Sequence, residues 1–148
     1  MMDMTATDRY KGEDSGLYGG GLNAPPAHHR EAALKAVAEV KPLDASGAPS
    51  PECKIVLVSL GMSNTTQEFS VFKKLADADP EKAPNLRIVD GAQGGQTALI
   101  WATKEDPWRV LEQRLSAAGV TPQQVQIIWA KQANAQPKNA FPAEAKAL

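Results

Sequence analysis

The chain has 148 residues, 43% of them apolar and 22% charged, and a net charge of −1 from 16 basic and 17 acidic side chains. That length predicts one globular domain, and the charge balance gives no electrostatic case for nucleic acid or for an anionic membrane. No apolar run approaches the ~20 residues of a membrane span, and the single cysteine, Cys53, cannot form an internal disulfide.

Residues 1–24 are polar and glycine-rich, ending in Gly16-Leu17-Tyr18-Gly19-Gly20-Gly21, and read as an irregular arm. The opening stretch, Met1 to Tyr10, lacks the apolar segment of a secretory signal, which leaves the compartment of any parent protein open. Pro25-Pro26 start a helix that runs to about Val40, with Ala33, Leu34, Val37 and Val40 as one apolar stripe and Pro42 as its stop. A loop over 42–52 follows, holding Pro42, Gly47, Pro49 and Pro51.

From residue 54 the pattern alternates. The aliphatic run Lys54-Ile55-Val56-Leu57-Val58-Ser59-Leu60 reads as a buried strand, closed by Gly61-Met62-Ser63-Asn64. A helix of about 65–76 follows, with Phe69, Phe72 and Leu75 on one face and a capping-box spacing from Thr65 to Glu68. The short strand Leu86-Arg87-Ile88-Val89-Asp90 leads into the glycine turn 91–95, and helical pattern resumes from Gln96. Asp106-Pro107 open a further helix that covers Trp108 to about Ala118 and stops at Gly119. Thr121-Pro122-Gln123-Gln124 is a capped turn before the strand Val125–Lys131; a polar loop then reaches a helix starting at Phe141-Pro142.

Strands alternating with helices imply βαβ units and a parallel sheet. Right-handed crossovers place the second strand on one side of the first and the third on the other. The expected fold is therefore α/β: a three-layer, flavodoxin-like parallel sheet of order 2-1-3, with its switch point between strands one and three. Ile127, Ile128 and Trp129 then form an apolar edge, which predicts a domain (residues 25–148) truncated after its third strand and an isolated chain that associates with itself.

Three segments converge at the carboxyl ends of these strands: Ser63 after the first, Gly94-Gly95 after the second and Asn134 after the third. Each has a structural reading, as helix cap, tight turn or loop asparagine. Together they supply a hydroxyl, a backbone N–H and a side-chain amide, the parts of an acyl-transfer site with its oxyanion hole.

In the order of its elements and in these three loops the chain resembles the SGNH (GDSL-like) hydrolases over residues 53–148. The first block, Gly-Asp-Ser, falls on Gly61-Met62-Ser63; the second on Gly95-Gln96-Thr97-Ala98; the third, Gly-x-Asn-Asp, on Gln132-Ala133-Asn134-Ala135. The resemblance implies Ser63 as nucleophile and first oxyanion donor, the Gly95 N–H as second and the Asn134 amide as third, with no cofactor or metal. It implies as substrate a small-molecule or carbohydrate ester. Met62, Gln132 and Ala135 depart from the blocks, and the fourth block, Asp-x-x-His, is absent: the only histidines, His28 and His29, precede the serine. The chain is therefore expected to be inactive as it stands, its base lying beyond Leu148, because losing a triad member forfeits orders of magnitude in rate. A Ser-Lys arrangement through Lys131 needs that lysine buried. The alternative is a non-catalytic module that holds a saccharide or other polar ligand in the same loops.

Overall fold

A computed structural model describes residues 4–136 and 138–148; the first three residues of the expected arm and Pro137 of the expected polar loop lie outside the described residues. The chain divides into two compact units, Met1–Val40 with Asn139–Lys146, and Lys41–Lys138 with Ala147–Leu148.

The second unit holds the sheet. Its strands β1 (Ile55–Gly61), β2 (Leu86–Val89) and β3 (Val125–Lys131) are all parallel, in the order β2-β1-β3. This is the expected flavodoxin-like arrangement. β1 is central and covered on both faces, which is why its sequence is a continuous aliphatic run without polar alternation. Val56 and Val58 point to one face and pack with Val89, Trp101, Leu111, Leu115 and Val120. Leu57 points to the other and packs with Phe69 and Ile88. The helix α2 (Ser63–Ala78) covers that second face; α3 (Ala98–Thr103) and α4 (Asp106–Ala117) supply Trp101, Leu111 and Leu115 to the first. Three layers result.

Phe69 is fully buried, and it meets Phe72 and Trp129 at ring-centroid distances of 5.5 and 5.6 Å. Trp101 and Trp108 meet edge to face at 4.9 Å, the arrangement that ring quadrupoles favour. The Trp108 indole N–H donates to the Trp101 carbonyl at 2.8 Å, so its polar atom is satisfied as its ring packs.

α2 begins at Ser63, two residues before the expected start. The Thr65–Glu68 spacing is not its cap: Thr65 is buried, and its hydroxyl donates to the Lys131 carbonyl at 2.9 Å, tying α2 to β3. Thr121 and Gln124 do form a capping box on the turn Pro122–Gln124 before β3. β3 is joined to β1 with an irregularity between Val56 and Leu57, where Gln126 is the extra residue. Gln126 turns its side chain to Lys41, accepting from its N–H at 3.1 Å and donating to its carbonyl at 2.6 Å.

In the first unit, α1 (Ala27–Glu39) forms where expected, yet it has no buried residue, and its stripe residues Leu34 and Val37 are exposed. The arm before it is a series of turns with isolated bridges Tyr10–Glu13 and Gly16–Leu22. The last helix, α5, spans only Ala143–Lys146. Among the described residues, no helix is long and apolar enough to cross a membrane.

Candidate functional site

The carboxyl ends of the three strands meet over β1, the strand shared by both pairings. Gly61, the last residue of β1, lies against the hydrogen-bonded pair of the Thr65 hydroxyl and the Lys131 carbonyl, so close that a Cβ could not be accommodated. Its own carbonyl accepts the Gln93 N–H at 3.0 Å. A glycine here lets β1, the loop after β2 and the exit of β3 approach one another, and α2 departs immediately beyond.

Ser63 is the first residue of α2 and is exposed. Its hydroxyl has no hydrogen-bond partner among the described residues. It lines an open concavity of about 470 Å³ together with Thr66, Gln67, Gln93, Gly94, Gln96 and Arg114. The unsatisfied N–H groups of a helix start and their positive end of the dipole favour developing negative charge at such a place.

The loop after β2 is held by a network that the sequence patterns did not reveal. Ser59, fully buried in β1, donates to Asp90 Oδ1 at 2.5 Å and accepts from the N–H groups of Gly91 and Ala92 at 3.1 and 3.2 Å. Asp90 Oδ1 also accepts from the Ala92 N–H at 3.1 Å. Arg114 Nη1, from α4, donates to the carbonyls of Asp90 and Ala92, both at 2.8 Å, and Thr66 adds a third tie to the Ala92 carbonyl at 3.0 Å. Gln93 donates to the Pro107 carbonyl at 2.8 Å. Every bond fixes the path of residues 90–93. Gly94 and Gly95 then carry the chain to α3, whose cap is the Thr97 hydroxyl accepting from the Ile100 N–H at 3.4 Å. Gly95 has φ +75°, a left-handed conformation that favours glycine.

Asn134 stands at the start of α3. Its Oδ1 accepts from the Leu99 N–H at 3.2 Å, while the Ala133 carbonyl accepts from the Ala98 N–H at 3.1 Å. The amide oxygen thus caps α3, which leaves the Nδ2 hydrogens as the atoms able to donate elsewhere. Asn134 lines a separate concavity of about 170 Å³ with Ala98, Leu99, Ala102, Ala147 and Leu148. Of the three expected site residues only Ser63 lines the larger concavity: Gly95 follows Gly94 in sequence but lines neither hollow, and Asn134, bonded to α3, lines the separate one.

The lining of the Ser63 concavity contains no histidine and no carboxylate. Lys131 is partly exposed and ion-paired with Glu68, away from the burial that a Ser-Lys arrangement demands. Among the described residues no group of three His, Cys, Asp or Glu side chains is placed to hold a metal.

The polar residues that sequence reasoning missed are Ser59, Asp90, Gln93 and Arg114. A signal was present for the first two. A serine within an aliphatic strand and an aspartate ending the next strand each require a partner once buried, and parallel neighbours provide one. No family model, curated protein or solved structure matches the chain.

Proposed function

We propose that the chain carries the acyl-binding half of an SGNH-like serine ester hydrolase. One observation supports this above the rest: Ser63 opens α2 at the carboxyl end of the central strand, with an unpartnered hydroxyl in the same concavity as the glycine loop after β2. Ser63 Oγ would attack the carbonyl of a small-molecule or carbohydrate acetyl ester, and the C–O bond to the alcohol would break, leaving the acetyl group on Ser63. The oxyanion would receive the N–H groups of Ser63 and Gly95, and the Asn134 Nδ2 would have to reach it from its separate concavity; donors aimed at a tetrahedral intermediate stabilise it. The proton released by Ser63 has no acceptor in the lining, so turnover near neutral pH needs a base from outside it.

Chemical rescue tests the proposal. The chain is incubated with an organophosphonate and added imidazole, and adducts are located by mass spectrometry. The expected result is an adduct at Ser63 that forms faster as imidazole rises and is absent in Ser63→Ala. No adduct at any imidazole concentration would refute the hydrolase reading.

The second reading, a non-catalytic module for a saccharide or other polar ligand, draws on the lining itself. Ser63, Thr66, Gln67, Gln93 and Gln96 are neutral hydroxyls and amides, which suit sugar hydroxyl groups and supply no base. Saccharide binding that is weakened by Gln96→Ala, in a chain that never forms the Ser63 adduct, would favour the module.

A further inference from the structure

We propose that the Ser63 concavity selects esters whose alcohol part is anionic, and that Arg114 holds the carboxylate or phosphate group of that part; the substrate assignment rests on the hydrolase reading above. Arg114 is the one charged side chain in the lining. It is half-buried, so its guanidinium has surrendered part of its water. Arg9 and Arg109 each form an ion pair with an aspartate, whereas Arg114 forms none among the described residues. Asp90, the acid tied to the same loop, is engaged through Oδ1 by Ser59 and the Ala92 N–H and stands outside the lining. A half-buried cation without a counter-charge favours an anion brought by a ligand.

The hydrogen bonds of Arg114 decide which of its donors are free. A guanidinium carries its N–H groups in a planar fork. Nη1 donates to the Asp90 and Ala92 carbonyls, both at 2.8 Å, which occupies its two hydrogens and fixes the plane of the group. The Nε–H and one Nη2–H run parallel along the adjacent edge, and neither nitrogen has a partner among the described residues. Two parallel donors on one edge match two oxygens of a carboxylate or phosphate, the arrangement that makes such pairs bidentate.

Thr66 links this cation to the nucleophile. It follows Ser63 by three residues, on the same face of α2, and its hydroxyl donates at 3.0 Å to the Ala92 carbonyl that Arg114 also holds. An acetyl ester bound with its carbonyl at Ser63 therefore has its alcohol part in the same hollow as Arg114, and about 470 Å³ admits a small ester of this kind. In the transfer the bond from Ser63 Oγ to the acetyl carbon forms and the bond from that carbon to the alcohol oxygen breaks. An added base such as imidazole takes the serine proton and returns it to the leaving alcohol.

Two measurements on the unmodified chain test this. In the first, benzoate, benzamide and inorganic phosphate are titrated separately into the isotope-labelled chain, with sodium chloride at matched ionic strength as control. The Arg114 Nε–H resonance is expected to move saturably with benzoate or phosphate, with a dissociation constant of roughly 1–30 mM, and to stay in place with benzamide and with chloride. The second compares para-acetoxybenzoate with its methyl ester in added imidazole, read as the acetyl adduct on Ser63 by mass spectrometry. The anionic ester is expected to acetylate Ser63 at least ~10-fold faster, an advantage lost in Arg114→Lys, which keeps the charge without the two-donor edge. Should that variant fail to fold by far-UV circular dichroism, the ratio of the two esters on the unmodified chain decides. A resonance unmoved by either anion, or moved equally by benzamide, overturns the anion site. Equal acetylation by both esters overturns the substrate assignment and leaves Ser63 as nucleophile. No acetylation by either refutes the hydrolase reading, and the substrate assignment with it, while the titration by itself then upholds or overturns the anion site.

Discussion

Replacing Ser59 by alanine removes one oxygen that serves three partners. The Ser59 hydroxyl donates to Asp90 Oδ1 and accepts from the N–H groups of Gly91 and Ala92. Ala92 retains Asp90 Oδ1 as acceptor, but among the described residues the Gly91 N–H has no other partner, and Gly91 is buried. An orphaned buried N–H costs ~1–3 kcal/mol, and a hydrogen bond to a charged group contributes ~1.5–3 kcal/mol. Asp90 is only half-buried, so water replaces part of its loss. We predict a destabilisation of about 2–4 kcal/mol. With a urea slope of ~1.5 kcal/mol/M, that lowers the midpoint by ~1.3–2.7 M. Urea unfolding followed by tryptophan fluorescence measures it, and a double-mutant cycle with Asp90→Asn should give a coupling of ~1–3 kcal/mol. A loss below ~1 kcal/mol at unchanged slope, or a coupling near zero, would refute the reasoning that this hydroxyl organises the loop.

Three further outcomes follow from the same geometry. Gly61→Ala drives a methyl group against Thr65 and the Lys131 carbonyl, both fixed by their own hydrogen bond, and is expected to cost at least ~3 kcal/mol in the same urea assay. Phe69→Ala empties the fully buried site between Leu57 and Ile88 and should cost ~3–5 kcal/mol, with loss of the near-ultraviolet dichroism of Trp129. Asp44 is held below its ordinary value of 3.8, first by the Ser46 hydroxyl and then by the N–H groups of Ala48 and Ser46. Its folded-state value is depressed, so its contribution is full above the ordinary value and is lost as pH falls through the lowered one. Thermal midpoints should be flat on this account from neutral pH to ~5 and fall below ~4, more shallowly in Asp44→Asn.

What the sequence carried and what it did not divide along physical lines. β1 was legible because a strand buried on both faces must be continuously apolar, and the order 2-1-3 followed from chirality alone. The start of α2 differs from expectation because Thr65 and Glu68 have capping-box spacing, while the partner of the Thr65 hydroxyl, the Lys131 carbonyl, lies 66 residues away and leaves no local trace. The stripe on α1 predicted a packed face; Leu34 and Val37 are exposed, since periodicity states which residues share a face and not whether anything covers it. At the candidate site, the positions of Ser63 and Gly95 at strand ends were readable from the punctuation of glycine and helix starts. The direction of the Asn134 side chain, oxygen toward Leu99, and the tether from Arg114 to the Asp90–Ala92 loop depend on pairs 35 and 24 residues apart.

The bareness of α1 has a thermal consequence. A thirteen-residue helix with no buried side chain is held by its own backbone and by propensity, and isolated helices of that length are marginal in water. Its helicity should fade gradually on warming, ahead of the single cooperative step in which the sheet unit melts. On warming, Arg30 and Lys35 should then become open to trypsin as Arg9 and Lys11, exposed in the turns of the arm, already are.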